Sequence, residues 1–210
     1  MRTISITEAL NELKLYDTKI HKAIANSKFA DAARKSSDKV GTVSREEFNK
    51  KAKASYQSAK DLITNRNELK SAIVKSNAET IITVNGQVMT RAEGIERKIS
   101  IQYEEELLDE MKRQYADATA AVNKENKKVD NKIYELISAL VGRESSKQLS
   151  KEDQEAVEKP YRTKNEFELI DPLVLYDKIT ELEAEIDGFR SNIDSQLVLS
   201  NSTSFIDISF

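Results

Sequence analysis

The scarcity of turn-forming residues constrains this chain more than any other feature of its sequence. Its 210 residues include 5 glycines and 2 prolines, whereas average usage would give roughly 15 and 10. Tight turns between short strands depend on these residues, so a sandwich, a barrel or a doubly wound sheet is disfavoured. Hydrophobic residues still make up 39% of the chain, which is enough to form a core. We therefore predict a mainly α protein of few, long helices.

The charge balance and the missing residue types exclude several kinds of site. The net charge at pH 7 is −3, whereas nucleic-acid-binding domains usually have a high pI and a basic face. The chain has no cysteine and one histidine, His21, which rules out cysteine-ligated metals and sites built from several histidines. Its scattered glycines form no phosphate-binding loop. We expect no catalytic residue, cofactor, metal or nucleic-acid partner.

Targeting signals are also missing from the sequence. The apolar stretch 136–141 is far shorter than the ~20 residues of a membrane-spanning helix, and residues 1–5 lack the apolar centre of a secretory signal. We expect a soluble protein that is made in the cytoplasm and does not bind membranes. A virion is an alternative final location, because it requires no signal.

Apolar residues at alternating steps of four and three predict long antiparallel helical hairpins with coiled-coil seams. Three of the helices begin with the Ser/Thr-x-x-Glu form of a capping box, at Ser5, Ser44 and Thr90. We treat the chain as one elongated domain, residues 1–210. Its predicted helices and connectors are helices at about 6–27, 44–75, 91–141 and 172–199, with connectors at 29–43 and 143–170.

The first two helices carry one polar residue each on their seams. Asp17 interrupts the apolar stripe of the first helix and Arg66 that of the second. A polar seam residue usually fixes the register or the oligomeric state at some cost in stability. We therefore assign both residues a structural or interface role.

The third helix has a stripe that starts with Ile95, Ile99, Tyr103 and either Leu107 or Leu108. The polar stretch 123–128 interrupts this stripe. We predict one continuous helix that ends at Gly142, and a break at the polar stretch is the alternative.

Residues 80–89 carry the clearest β signal in the first two thirds of the chain. The β-branched segments 80–84 and 87–89 flank Asn85–Gly86. Asn-Gly favours a two-residue hairpin turn, because both turn positions require a positive φ. The sequence therefore predicts a β-hairpin here.

Two segments of the chain form an internal repeat. Residues 69–84 align without gaps on residues 193–208, with five identities. The shared unit is a helix, a Ser-Asn pair and a strand. We interpret Asn77 and Asn201 as residues that end their helices, because Asn tolerates the left-handed conformation found there; ligand-binding amides are the alternative.

The repeat also predicts how the C-terminal strand pairs. Phe205 and Ile206 match Ile81 and Ile82 of the hairpin, and a two-stranded hairpin alone is marginally stable. We therefore expect segment 203–209 to add a third strand beside the 80–89 hairpin. Phe205 and Ile206 then join Asn85 and Gly86 as structural or interface residues.

The second connector contains weaker signals. Ser150 is expected to cap a short helix that reaches about Glu158, and Pro160 is expected to stop it. Residues 161–170 then form an extended arm. Asp171 followed by Pro172 predicts the start of the last helix.

The layout resembles the septicolysin-like family of small helical proteins of bacteria and phages, whose activity is largely not established. The resembling segments cover nearly the whole chain, and they are Thr7–Leu13, Ser76–Thr80, Asn85–Thr90, Glu96–Arg97, Ile170–Pro172, Glu185–Asp187, Gln196 and Ser200–Asn201. The resemblance implies a helical fold and a bacterial or phage origin, and it carries over no catalytic residue.

These features favour a non-enzymatic structural or assembly protein that acts through oligomeric helix interfaces. A virion component of a phage tail, baseplate or neck is the specific form that we expect, with homo-oligomers and other virion proteins as partners. An intracellular binding or regulatory module, such as a phage protein that sequesters a host factor, is the alternative. A membrane-active toxin ranks lower, because the chain contains no strongly hydrophobic helical hairpin.

Overall fold

The computed structural model describes residues 2–141 and 150–210. The protein is 74% helical, which confirms the mainly α fold class. The helices are α1 Ile6–Ala25, α2 Arg45–Glu79, α3 Arg91–Val141, α4 Lys151–Asn165 and α5 Leu175–Thr203. The strands are β1 Arg2–Ser5, β2 Lys39–Val40, β3 Val43–Ser44, β4 Ile81–Val84, β5 Gln87–Thr90 and β6 Phe205–Ile208.

The chain divides into two compact units. The first unit comprises Met1–Ser100 and Gly188–Phe210, and the second comprises Ile101–Asp187. Helices α3 and α5 contribute residues to both units.

The pairing of the C-terminal strand differs from the prediction. β6 does not extend the β4–β5 hairpin but pairs antiparallel with β1, from Arg2 opposite Ile208 to Ser5 opposite Phe205. The β4–β5 hairpin has the corresponding register, with Ile81 opposite Thr90. The expectation of a shared three-stranded sheet is therefore wrong. Each two-stranded sheet is stabilised instead by the helices that pack on its inner face.

The internal repeat is confirmed by the structure. α2 ends at Glu79 before β4 starts at Ile81, and at the matching positions α5 ends at Thr203 before β6 starts at Phe205. Both strands alternate exposed and buried residues in the same phase. The physical unit is thus a helix that turns directly into a strand.

The strand that pairs with each copy also leads into a helix. The backbone N–H of Arg91, which starts α3 after β5, donates to the carbonyl of Thr80 over 2.8 Å. The N–H of Ile6, which starts α1 after β1, donates to the carbonyl of Ser204 over 3.0 Å. The first unit is therefore an approximate duplication, in which the β1–β6 pair corresponds to the β4–β5 hairpin. The two ends of the chain lie at the position that corresponds to the hairpin turn.

In each half of the first unit, the long helix packs on the sheet that contains the strand following the other half's helix. Leu69 and Ile73 of α2 share one buried cluster with Ile206 and Ile208 of β6, which follows α5. Conversely, a methyl group added at Gly94 of α3 would meet Ile82 of β4, which follows α2, and Ile193 of α5. Each of α2 and α5 therefore packs on the sheet that contains the other helix's strand.

Capping boxes start α1 and α3, as predicted. The hydroxyl of Ser5 accepts a bond from the Glu8 N–H, and the Glu8 carboxylate accepts a bond from the Ser5 N–H. Thr90 and Glu93 make the same reciprocal pair. The hydrogen bonds that each carboxylate accepts lower the pKa of Glu8 and of Glu93. The bond from the backbone N–H of the capping residue has the largest effect, and the bond from its hydroxyl is second. Ser44 and Ser150 also cap α2 and α4 through their hydroxyls.

Several predicted helix ends are wrong. α2 continues beyond Asn77 to Glu79, and α5 begins at Leu175, three residues after Pro172, and reaches Thr203. α4 continues through Pro160 to Asn165. Beyond the proline, Arg162 forms ion pairs with Glu158 one turn earlier and with Asp130 of α3, both at 2.7 Å. The predicted helix end at Gly142 lies outside the described residues.

The seam of α2 is as predicted and that of α1 is as predicted as far as Ile20, but Ile24 of α1 and the first part of the α3 seam are exposed. The predicted seam residues of α2 are all buried or half-buried. On α3, Ile95, Ile99 and Tyr103 are exposed, whereas Gly94 and Ile101 are buried. The buried stripe of α3 is therefore shifted by about one residue, because the tight contact of Gly94 with Ile82 and Ile193 sets the rotation of the helix.

Candidate functional site

A buried arginine joins the two halves of the first unit. The side chain of Arg91 is fully buried. Its Nε donates to Ser200 Oγ over 2.9 Å, and its Nη2 donates to Ser204 Oγ over 2.6 Å. Its Nη1 donates to the Oδ1 atoms of Asn77 and Asn201, both over 3.3 Å. Both Asn residues singled out by the repeat thus converge on one guanidinium group.

The described hydrogen bonds of Arg91 reach neutral acceptors and no carboxylate. All four side chains that accept these bonds are hydroxyls or amides. Removal from water lowers the pKa of Arg91, although a guanidinium remains protonated in proteins. Such a group exchanges no proton, so the cluster acts as a structural tie between the two copies of the repeat.

The interpretation of Asn77 and Asn201 as helix-ending residues is wrong. Thr80 caps α2 in an extended conformation, and Asn77 lies within the helix. Asn201 likewise precedes the last residue of α5, Thr203. Their amide oxygens accept hydrogen bonds from Arg91 instead. A buried guanidinium requires several acceptors, and here tertiary contacts provide them.

The hairpin turn at Asn85 and Gly86 is confirmed. Their φ angles are 49° and 77°, as a type I′ turn requires. The side chain of Asn85 lies directly against Gly188 of α5, where a Cβ atom would overlap its amide group. Gly188 is therefore required for the close approach of the turn to α5.

Asp17 and Arg66 form an ion pair between α1 and α2. Arg66 Nε lies 2.9 Å from Asp17 Oδ1, and both side chains are partly exposed. The pair joins the two seams at the positions where each lacks an apolar residue. It thus has the register-fixing geometry expected from the sequence.

We expect this ion pair to contribute little to stability. Water screens it, so replacing Asp17 with Asn and Arg66 with Gln in a double-mutant cycle should yield a coupling free energy of about 0.5 kcal/mol. Urea denaturation of the two single variants, the double variant and the wild type measures this coupling. A coupling energy above about 2 kcal/mol would show that the pair is shielded from solvent.

Phe205 and Ile206 point to opposite sides of β6. Ile206 is buried in the cluster that joins α1, α2, β1 and β6. Phe205 is exposed and lines a groove of about 410 Å³ beside the end of α2, together with Ser76, Thr80 and Asp207. Of the two residues, only Phe205 is available for contact with another molecule.

An exposed apolar segment lies between α4 and α5 in the second unit; we call residues 167–176 the apolar connector. The Asn126 side chain donates to the Phe167 carbonyl over 2.9 Å and accepts from its N–H over 2.8 Å. Asp171 accepts from the Leu175 N–H over 2.7 Å. Exposed apolar side chains fill most of the connector, and they are Phe167, Leu169, Ile170, Leu173, Val174 and Tyr176.

A second surface of interest is a cavity of about 340 Å³ in the first unit, which we call the β2–β3 cavity. Val40, which is buried, and Phe48 contribute apolar surface. Lys28, Asp31 and Lys51 also line it, and Lys28 forms an ion pair with Asp31 at 2.5 Å. The cavity therefore combines an apolar wall with the amino group of Lys51 and one ion pair.

The charges of the chain are divided unequally between the two units. The first unit contains 20 basic and 14 acidic residues, whereas the second contains 13 basic and 22 acidic residues. The small net charge of the whole chain hides this asymmetry. Counting charge along the sequence in windows would have revealed it.

Other kinds of site are not found in the described part of the chain. No group of three or more His, Asp or Glu side chains there is arranged to hold a metal ion. Nor does any described helix combine the length and apolarity needed to cross a membrane.

No family model, curated protein or solved structure matches this chain. The resemblance to septicolysin-like proteins therefore stays a prediction.

Sequence reasoning missed Arg91, which organises the polar cluster. The only available signal was the position itself, since Arg91 opens α3 where Ile6 opens α1 in the other half of the repeat. Recognising it requires the strand pairing of β1 with β6, and that pairing links the two ends of the chain.

Proposed function

We propose that this protein is a non-enzymatic assembly protein that associates with further copies of itself through its helical surfaces and the apolar connector. The observation that carries the proposal is the exposure of this connector. Ile170 is 77% exposed, and Leu173 is 63% exposed. Contiguous exposed apolar side chains typically mark interaction sites.

The hydrogen bonds of the connector support the same function. Asn126 and Asp171 anchor its backbone at two points, so its apolar side chains are presented by a segment that is already ordered. An ordered segment loses less conformational entropy on binding than a mobile one. Within this ordered segment, the backbone of Val174 has a positive φ of 54°, which is a strained conformation for a β-branched residue.

Exposed apolar residues on α3 offer a second contact surface. Ile99 is 69% exposed, and Ile95 precedes it by one helical turn. Both lie on the stripe that the sequence assigns to a helix interface. They are suited to pack against another helix, because residues four apart share one face.

Sedimentation velocity over a range of protein concentrations tests the proposal. We expect the wild type to form reversible oligomers, and Ile170→Ser with Leu173→Ser to weaken association about tenfold or more, since two apolar side chains lose their burial. Leu15→Ser, which alters an exposed residue of α1, is the matched control. A wild-type chain that stays monomeric at every concentration would contradict the proposal.

The finer proposal is that these assemblies belong to a phage particle, in its tail, baseplate or neck. It is supported by the sequence alone, through the resemblance to the septicolysin-like family and the absence of cysteine. Mass spectrometry of particles purified from the encoding phage tests it. Absence of the protein from the particles would favour the intracellular binding module.

A further inference from the structure

The β2–β3 cavity lies in the most basic part of the chain. Residues 14–60 contain 12 basic and 5 acidic side chains. Asp31 pairs with Lys28 inside this range, and Asp17 pairs with Arg66 beyond it, so 11 basic and 3 acidic residues of the range lie outside these two pairs. The surroundings of the cavity therefore attract an acidic partner.

The size of the cavity limits what can enter it. Its volume of about 340 Å³ is near the lower end of the roughly 300–1,000 Å³ typical of ligand sites. This space admits one or two apolar side chains but not a helix. A suitable partner therefore presents a single large apolar side chain with carboxylates beside it.

The apolar connector has this composition. Phe167 is 52% exposed, and it stands between the exposed carboxylates of Glu166 and Glu168, of which Glu166 lies 3.4 Å from Arg162. Its backbone is fixed by Asn126. The connector belongs to the acidic second unit, so its charge complements the basic surroundings of the cavity.

We infer that the β2–β3 cavity of one chain receives the apolar connector of a second copy, with Phe167 in the cavity. Glu168 then faces Lys51, and Glu166, which Arg162 also contacts, faces the Lys28–Asp31 pair. The inference rests on the proposed function, because it specifies the contact by which copies associate. A nucleic acid is a less suitable occupant, because the cavity of about 340 Å³ admits one or two apolar side chains and a phosphate backbone offers none.

The contact joins different surfaces of the two copies. The cavity lies in the first unit and the connector in the second, so the association is head-to-tail. Head-to-tail contacts produce either closed rings or extending chains. In an open chain, one terminal copy retains an unused cavity and the other an unused connector.

Charge reversal on each side tests this contact. The cavity variant carries Lys28→Glu and Lys51→Glu, and the connector variant carries Glu166→Lys and Glu168→Lys. We expect each variant alone to self-associate at least about tenfold more weakly than the wild type in low salt, because like charges then face each other. A 1:1 mixture should recover association to within about threefold of the wild type, because complementary pairs form again.

Matched variants control for the change in net charge. Lys70→Glu with Lys75→Glu alters exposed residues of α2 outside the cavity and its basic surroundings, and Glu106→Lys with Asp109→Lys alters exposed residues of α3 outside the connector. We expect both to associate like the wild type. Phe167→Ser tests the apolar part and should weaken association about tenfold without any change in charge.

The outcomes separate this inference from the proposed function. If the wild type associates but the charge-reversed variants associate equally well, or their mixture does not recover, the inference is overturned while the assembly function stands. If the wild type does not associate at all, both are overturned. Binding of a duplex DNA probe by the basic surface, together with unchanged self-association in the cavity variant, would also overturn the inference.

Discussion

Replacing Arg91 with alanine is expected to lower the free energy of unfolding by about 3 kcal/mol. The substitution removes four hydrogen bonds at once. The side-chain oxygens of the four acceptors then lose their Arg91 donors, and water has little access to replace these bonds. The acceptors are Asn77, Ser200, Asn201 and Ser204. Urea denaturation followed by circular dichroism measures the loss.

Two further variants make this result interpretable. Arg91→Lys keeps the charge but presents three donors from one atom, which cannot reach four oxygens on α2, α5 and the residue after α5, so we expect an intermediate loss. Lys98→Ala, on the same helix as Arg91, removes an exposed ion pair with Asp194 of α5 and should cost less than about 1 kcal/mol. If Arg91→Ala cost no more than Lys98→Ala, the buried cluster would not hold the two halves together.

Deleting residues 205–210 is expected to abolish cooperative folding of the first unit. The deletion removes β6, so β1 loses its pairing partner, and it takes Ile206 and Ile208 from the buried cluster. Losing a buried isoleucine side chain typically costs roughly 2–5 kcal/mol, and the total stability of a domain is only about 5–15 kcal/mol. Thermal unfolding followed by circular dichroism should lose its sharp transition.

A milder variant shows which strand depends on β6. Ile208→Ala should speed amide hydrogen exchange in β1, for example at Ile4, and leave exchange at Ile82 of β4 unchanged. Phe205→Ala, which alters an exposed side chain of the same strand, is the control and should change neither. Faster exchange in β4 instead of β1 would indicate a shared sheet with the hairpin, contrary to the observed register.

Local features of the sequence predicted much of the fold. The spacing of apolar residues gave the approximate extent of α1, α2, α3 and α5, and the capping boxes located the first residues of α1 and α3. Asn85–Gly86 predicted the hairpin, because its two positive φ angles are a property of the turn itself. The repeat was also visible, since both copies need the same pattern of buried and exposed residues.

Predictions that depended on contacts between distant segments were less successful. The pairing of β6 with β1 brings together the two ends of the chain, and nothing in either strand alone selects that partner. The rotation of α3 depends on the close contact of Gly94 with Ile82 and Ile193, so its seam lies beside the one that apolar spacing suggested. α4 passes through Pro160 against the local preference to stop, and Arg162 beyond it contacts Asp130 of α3.

The candidate interaction surfaces show the same division. Asn77 and Asn201 were identified from the repeat, but their role as acceptors for Arg91 was not. Arg91 reaches both only because α2, α3 and α5 meet at the cluster, and that is a tertiary contact. The apolar residues of the connector are visible in the sequence, whereas their exposure depends on the backbone held by Asn126.

The scarcity of glycine and proline, together with apolar periodicity, determined by itself that this chain forms long helices with few turns, because those preferences act within a few residues. Only the tertiary structure decided which strand pairs with which, which face of α3 is buried and why an arginine lies in the interior. Those outcomes depend on burying apolar area and satisfying polar groups between segments far apart in the chain, and no local pattern encodes which segments meet.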